Sequence, residues 1–170
     1  ASRTPVGEWV LGFKYDDTKV REGRQINIKD LDEAAPNHPV YVSHRGGHVY
    51  WFNTKAAEVA NVTKDTPDPA GGHIYHDSNG ELLGKVAERA SALFRRVTPS
   101  GSTREQRQAG VKLISEMMTS SGLTSVHDAS CGTESGMAYQ DAYNAGELKM
   151  RVYMMVRGEM FEGCKTAGIY

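Results

Sequence analysis

The stretch from residue 123 to 156 limits the fold more than any other part of the chain. Residues 123–127 read as a strand, residues 134–145 as a helix stopped by Gly146, and "KMRVYMMV" (149–156) as a strand that is apolar on both faces toward its end. A doubly apolar strand belongs in a sheet covered on both sides, and strand, helix, strand in that order is the pattern of a parallel βαβ unit. The first of these strands lies within "GLTSVHDAS" (122–130), which puts His127 and Asp128 at its carboxyl end. That end of a parallel strand is where α/β proteins usually carry their chemistry.

The front of the chain has a different texture. Residues 9–13 read as a short strand, and Asp30 is placed to cap a short helix through Leu31 and Ala35 that Pro36 stops. Residues 38–44 and 48–53 form a hairpin around Arg45-Gly46-Gly47, residues 54–59 carry helix formers, and residues 72–76 and 81–83 form a second hairpin around Asp77-Ser78-Asn79-Gly80. After Gly84, the spacing of Val86, Ala90, Leu93 and Phe94 predicts a helix, ended at Pro99-Ser100-Gly101. Ser102 with Glu105 has capping-box spacing, and Ala109, Leu113 and Met117 continue as one stripe beside Ile114 and Met118 until Gly122. The expected fold is α/β with α+β character. A hairpin-rich lobe (1–84) is followed by helices and parallel strands (85–156) and a tail (157–170).

Composition narrows the function classes. Acids and bases nearly balance at a formal net charge of −1, with no basic block and no polybasic helix, so neither nucleic acid nor an anionic membrane is an expected partner. No apolar run is long enough to span a bilayer, and no signal-peptide pattern opens the chain. Two cysteines, Cys131 and Cys164, fit a reducing compartment better than a disulfide scaffold, so a cytoplasmic location is expected. The start at Ala1 rather than methionine fits a processed chain or one cut from something longer.

Several side chains could carry chemistry. His44 and His48 flank a glycine turn, where they can approach each other across strands as part of a metal site or pack at a hairpin end. His73 and His76 fall on opposite faces of a strand, and Asp68 between Pro67 and Pro69 fits turn chemistry. His127 can act as an acid, base or ligand, or be a core histidine satisfied by a carbonyl. Asp128 points to the opposite face unless the strand has already turned into its loop. Cys131 lies in a glycine-flanked loop with no sign of an activated thiol, and Glu88 lies off its predicted apolar stripe, either solvated or facing a cleft. GxGxxG, P-loop, HExxH, GxSxG and CxxC motifs are all missing from the sequence.

Read together, "GEWVLGFKYDD", "DLDEAAPNHPVYVSHRGGHVYWFNTKA", "TPDPAGGHIYHDSNGELLGKVAE", "GLTSVHDAS" and "LKMRVYMMV" follow one another in an order that resembles the YtcJ-like branch of the amidohydrolase superfamily. These are metal-dependent hydrolases that include N-substituted formamide deformylases. The likeness runs to about Val156 and rests on Leu31-Asp32, Pro36, Pro39-Val40, His44, Gly47-His48, Asn53, Thr66-Pro67-Asp68-Pro69, Gly71-Gly72, Ile74, Asp77, Gly80, Gly84, Glu88 and the segment from Thr124 to Ala129. Leu83 and Thr54 depart from it, standing where threonine and serine are common.

The resemblance implies a hairpin-rich inserted lobe followed by a βαβ piece of an incomplete TIM-type barrel. It also implies a parent enzyme that hydrolyses C–N bonds of small amide-like substrates. That family's metal centre uses a His-x-His pair, a later lysine, two later histidines and a late aspartate. No His-x-His occurs in this sequence, so no residue is assigned as a metal ligand, and a divalent metal such as zinc is expected only in a complete homologue. His127 and Asp128 are the candidate catalytic residues, and His48 and Glu88 the candidate substrate-binding ones. Amide hydrolysis at neutral pH needs a metal-activated water, a base and a polarised carbonyl, and a catalytic zinc takes about three protein ligands. A (β/α)₈ barrel needs about 250 residues. The expectation is therefore a fragment inactive alone, hiding its open edges by self-association, by repacking against its own hairpin lobe, or by pairing with missing barrel segments. The alternative is a stand-alone non-catalytic binding module. A self-contained hydrolase using His127 with Cys131 or Asp128 is the third reading.

Overall fold

The computed structural model describes residues 2–99 and 101–169, so Ala1, Ser100 in the expected break and Tyr170 at the end of the expected tail lie outside the described residues. The chain divides into two compact units, Ala1–Ser100 and Gly101–Tyr170.

In the first unit, β1 (Val10–Tyr15), β2 (Val40–His44), β3 (Val49–Phe52), β4 (Gly72–His76) and β5 (Leu82–Glu88) form one sheet in the order β1-β2-β3-β5-β4. β1 runs parallel to β2, and the other neighbours are antiparallel. Strand alternation splits the apolar residues between two faces. On one, Tyr41, Tyr50, Phe52, Ile74 and Val86 pack with Ala56 and Ala57 of α2 (Thr54–Ala60) and Phe94 of α3 (Ser91–Arg95). On the other, Val40 and Trp51 pack with Leu31 of α1 (Ile28–Ala34) and Ala35.

Polar and glycine positions fix how these layers meet. Asn53 is fully buried, and its Oδ1 accepts from Val40 N at 2.8 Å and Ala56 N at 3.0 Å while its Nδ2 donates to the His38 carbonyl at 2.8 Å. One amide thus caps α2 and ties it to β2, with its polar atoms satisfied in an apolar setting. Gly84 has φ +75°, and a Cβ there would sit 2.5 Å from the Phe52 carbonyl oxygen and 2.7 Å from Ile28 Cβ. Glycine is required where β5 crosses α1.

In the second unit, β6 (Ser125–Cys131) and β7 (Arg151–Val156) pair in parallel, with α5 (Thr133–Asn144) between them in sequence. This is the βαβ order expected from residues 123–156. α4 (Arg104–Ser120) precedes it and α6 (Glu159–Thr166) follows. α4 is joined to α5 and the loop after it by Arg104–Asp141 at 2.6 and 2.7 Å, Arg107–Glu134 at 2.6 Å and Lys112–Glu147 at 3.0 Å. Ser115, fully buried on α4, accepts from Lys149 N at 2.7 Å just before β7.

Several expectations need correction. The helix expected through Val86, Ala90, Leu93 and Phe94 is instead the end of β5 followed by the short α3. Val86, Ala90 and Phe94 are all buried in one core, so the spacing reports burial truly but the wrong element. The break between units falls after residue 100 rather than after Gly84, because β5 completes the first sheet. Asn27 rather than Asp30 caps α1, with Asp30 as the returning carboxylate of the capping box. On α4 the box is Thr103 with Gln106, one residue beyond the expected pair. Within the expected tail, α6 is helical. β7 is not buried on both faces: Tyr153, Met154 and Met155 are 65 %, 38 % and 45 % exposed. The stripe expected to bury α4 is also uncovered, with Leu113 and Met117 exposed, while the covered line runs through Val111, Ser115 and Thr119.

Candidate functional site

The four candidate residues divide between the two units. His48 and Glu88 belong to the first. The register Val49↔Ala87 places His48, just before β3, beside Glu88 at the end of β5, and Glu88 N donates to the His48 carbonyl at 2.8 Å. The side chains meet as well: His48 Nδ1 lies 3.1 Å from Oε1 and 3.2 Å from Oε2 of Glu88, both side chains more than half exposed. Glu88 has φ +52°, a left-handed backbone that costs a residue bearing a Cβ roughly 1–2 kcal/mol. Glu88 ends a strand rather than flanking a helix stripe, and its pairing with His48 has no signal in sequence because 40 residues separate them.

His127 and Asp128 belong to the second unit, where β6 continues past them to Cys131. The regular β6–β7 register runs to Asp128↔Met154 and turns irregular before Cys131↔Val156, so both stand where even pairing ends. The structure does not bring them together. Asp128 Oδ2 accepts from Tyr139 OH on α5 at 3.1 Å and Oδ1 accepts from Ser130 N at 2.9 Å. Burial, and then this hydrogen bond, push the Tyr139 hydroxyl up to about 12. His127 is exposed, its ring centroid 5.3 Å from that of Tyr153 on β7, so it is not a core histidine. Sequence reasoning missed Tyr139 and Tyr153. A helix-to-strand return and a cross-strand neighbour become visible only once β6, α5 and β7 are folded.

The remaining candidates have partners of their own. His44 accepts from Gly46 N at Nδ1 (3.1 Å) and faces Asp17 through Nε2 at 3.4 Å, so His44 and His48 serve different carboxylates. His73 Nδ1 donates to Asp68 Oδ2 at 2.6 Å while Asp68 Oδ1 accepts from Ile74 N at 2.7 Å; these bonds, the backbone one first, hold the Asp68 carboxyl below its ordinary value. Cys131 is fully buried, and burial followed by the Asp128 charge push its thiol up, the opposite of an activated nucleophile. A groove of about 880 Å³ in the first unit is floored by Ile28, Ala57, Val62 and Leu82, and none of the four candidates lines it. Among the described residues the histidine–carboxylate contacts come in pairs, and no three His, Cys, Asp or Glu side chains form a metal-ligand set. The donors present do not fit a catalytic zinc, which takes about three. Nor is any helix among the described residues long and apolar enough to cross a membrane.

The chain is 28 % identical over 96 % of its length to an N-substituted formamide deformylase of Arthrobacter pascens, and 27 % identical over 91 % to the putative amidohydrolase YtcJ of Bacillus subtilis (strain 168). It covers 31 % and 30 % of those two proteins, under a third of their length. In fold it is similar to an uncharacterized metal-dependent hydrolase from Pyrococcus horikoshii OT3, with a TM-score of 0.60 and 23 % identity over 95 % of this chain and 31 % of that one. A second such hydrolase, from Pyrococcus furiosus, gives 0.57 and 25 % over the same shares. A family model described as "Amidohydrolase family" matches residues 1–168, and the chain belongs to that family.

Proposed function

We propose that this chain is a portion of a metal-dependent amidohydrolase that hydrolyses C–N bonds of small amide-like substrates, and that it is inactive alone. The observation that carries this reading is the parallel β6–β7 pair crossed by α5, with an exposed His127 where regular pairing ends. In this reading the pair is part of an incomplete TIM-type barrel, and His127 and Asp128 stand in one wall of the substrate cavity. Asp128, held by Tyr139 and Ser130, sets the shape of that wall, while the exposed imidazole of His127 is free to meet a substrate. Within the hairpin-rich lobe taken by itself, the exposed His48–Glu88 pair is the candidate for binding substrate. The metal-holding groups, with zinc as the expected ion, come from other parts of the parent. The exposed β7 and α4 side chains are covered by those parts or by self-association, in a cytoplasmic protein.

The test is metal content and formamide hydrolysis, measured on this chain and on any longer protein its reading frame encodes. The reading expects no stoichiometric zinc and no turnover from the chain alone, and both from the longer protein, where His127→Ala lowers turnover more than stability. Turnover with stoichiometric zinc from the chain alone overturns it. A second reading, a stand-alone non-catalytic binding module, is favoured by the first unit, whose sheet is packed on both faces and carries its own groove. A reading frame that ends near this chain, with no hydrolase activity, supports that one.

A further inference from the structure

The His48–Glu88 pair sits in a backbone arrangement built to hold it. Glu88 adopts a left-handed conformation that disfavours any side chain, yet the position carries a glutamate. The chain on either side is pinned: Glu88 N donates to the His48 carbonyl at 2.8 Å, and Arg89 N donates to the Gly71 carbonyl at 3.2 Å. β4 approaches so closely that a Cβ on Gly72 would lie 2.2 Å from Ala90 N. Both carboxylate oxygens end 3.1 and 3.2 Å from one ring nitrogen, His48 Nδ1. An ionised carboxylate has no proton to give, so Nδ1 must carry the hydrogen in this contact. In the neutral imidazole the other nitrogen, Nε2, is then an acceptor, and among the described residues it has no hydrogen-bond partner.

We infer that Glu88 is a positioning residue that fixes His48 as the Nδ1–H tautomer and turns Nε2 outward as a ready acceptor for the N–H of a secondary amide. The amide half rests on the function proposed above; the tautomer half does not. An outward acceptor recognises a donor, and a substrate whose amide nitrogen has lost its hydrogen offers none. The strain at Glu88 is then the cost of aiming a carboxylate at an exposed histidine, a contact that adds little to stability at such exposure.

Imidazole ¹⁵N spectra of the full chain, at a pH where its histidines are neutral, test the first half. His48 is expected as a single Nδ1–H form in the wild type and as a mixture rich in Nε2–H in Glu88→Ala. Glu88→Gly, which suits the left-handed backbone, is expected to give the same mixture with the β3–β5 amide signals unmoved. Glu88→Gln, which keeps an oxygen acceptor, is expected to restore part of the Nδ1–H form. A His48 tautomer unchanged by Glu88→Gly overturns the inference. For the second half, N-benzylformamide is expected to shift the His48 Nε2 signal several-fold more than N-benzyl-N-methylformamide, with the difference lost in Glu88→Gly. Equal responses, or none, remove the amide ligand while leaving the tautomer result standing.

Discussion

Trp51, Phe52, Ile74, Val86 and Phe94 of the first unit are each at most 1 % exposed, whereas Tyr153 and Met155 of β7 and Leu113 and Met117 of α4 are 45–65 % exposed. The two units differ in what surrounds their sheets. Five strands with helices on both faces bury their own apolar residues; two parallel strands beside one crossover helix leave much of theirs in water. Parallel strands are normally covered on both faces. A lone parallel pair with a methionine-rich strand therefore has the surface chemistry of the inside of a larger sheet. Under the proposed function, residues 1–100 are a lobe with a finished core, and residues 101–170 are a segment of a barrel whose neighbours lie elsewhere in the parent.

The sharpest way to break that comparison is to remove one large side chain from each unit. Phe94→Ala empties a site that packs on Phe52 at 4.4 Å between ring centroids and on Tyr41 at 5.3 Å, and a loss of about 3–5 kcal/mol is expected in chemical denaturation. Met155→Ala should cost under about 0.5 kcal/mol, since it empties nothing. Equal losses would make the two units alike. Next comes Gly84→Ala, which meets both an unfavourable φ of +75° and the Phe52 carbonyl at 2.5 Å, for an expected loss of about 3 kcal/mol. Asn53→Ala should cost about 2 kcal/mol, because it strands the Val40 N–H, the Ala56 N–H and the His38 carbonyl inside the lobe.

The smallest effect is on acid stability. The Arg24 guanidinium, and then Asn27 N–H, hold the Asp30 carboxyl at about 2 against an ordinary 3.8. A lowered native value stabilises the fold above the unfolded-state value, and the contribution is lost as pH falls from about 4 toward about 2. Asp30→Asn should flatten a small part of the acid limb in that window and leave stability at pH 7 only slightly reduced. A difference from wild type that grows as pH falls would contradict the assignment.

The elements with the strongest local patterns are legible in the sequence: both hairpins, the helix from residue 54, and the strand–helix–strand order of β6, α5 and β7. Residues 86–94 mislead because Val86, Ala90 and Phe94 have helical spacing, yet reach one core from a strand, a turn and a single helical turn. The exposure of β7 and of the α4 stripe is not legible, since an apolar pattern states what should be covered and not whether the chain covers it. That His48, Glu88, His127 and Asp128 can be named as candidates is legible in the sequence. Their partners are not: Glu88 reaches His48 across 40 residues and Tyr139 reaches Asp128 from a helix, contacts that exist only in the fold.

Hydrogen exchange of the intact chain tests the central asymmetry most directly, because protection reports local opening in each sheet. Amides of β3 and β5, such as those of Phe52 and Val86, are expected to exchange about tenfold or more slowly relative to those of Val126 and Val152 in β6 and β7. Equal, global-level protection in the two sheets would show residues 101–170 to be as self-sufficient as the lobe, and would contradict that asymmetry.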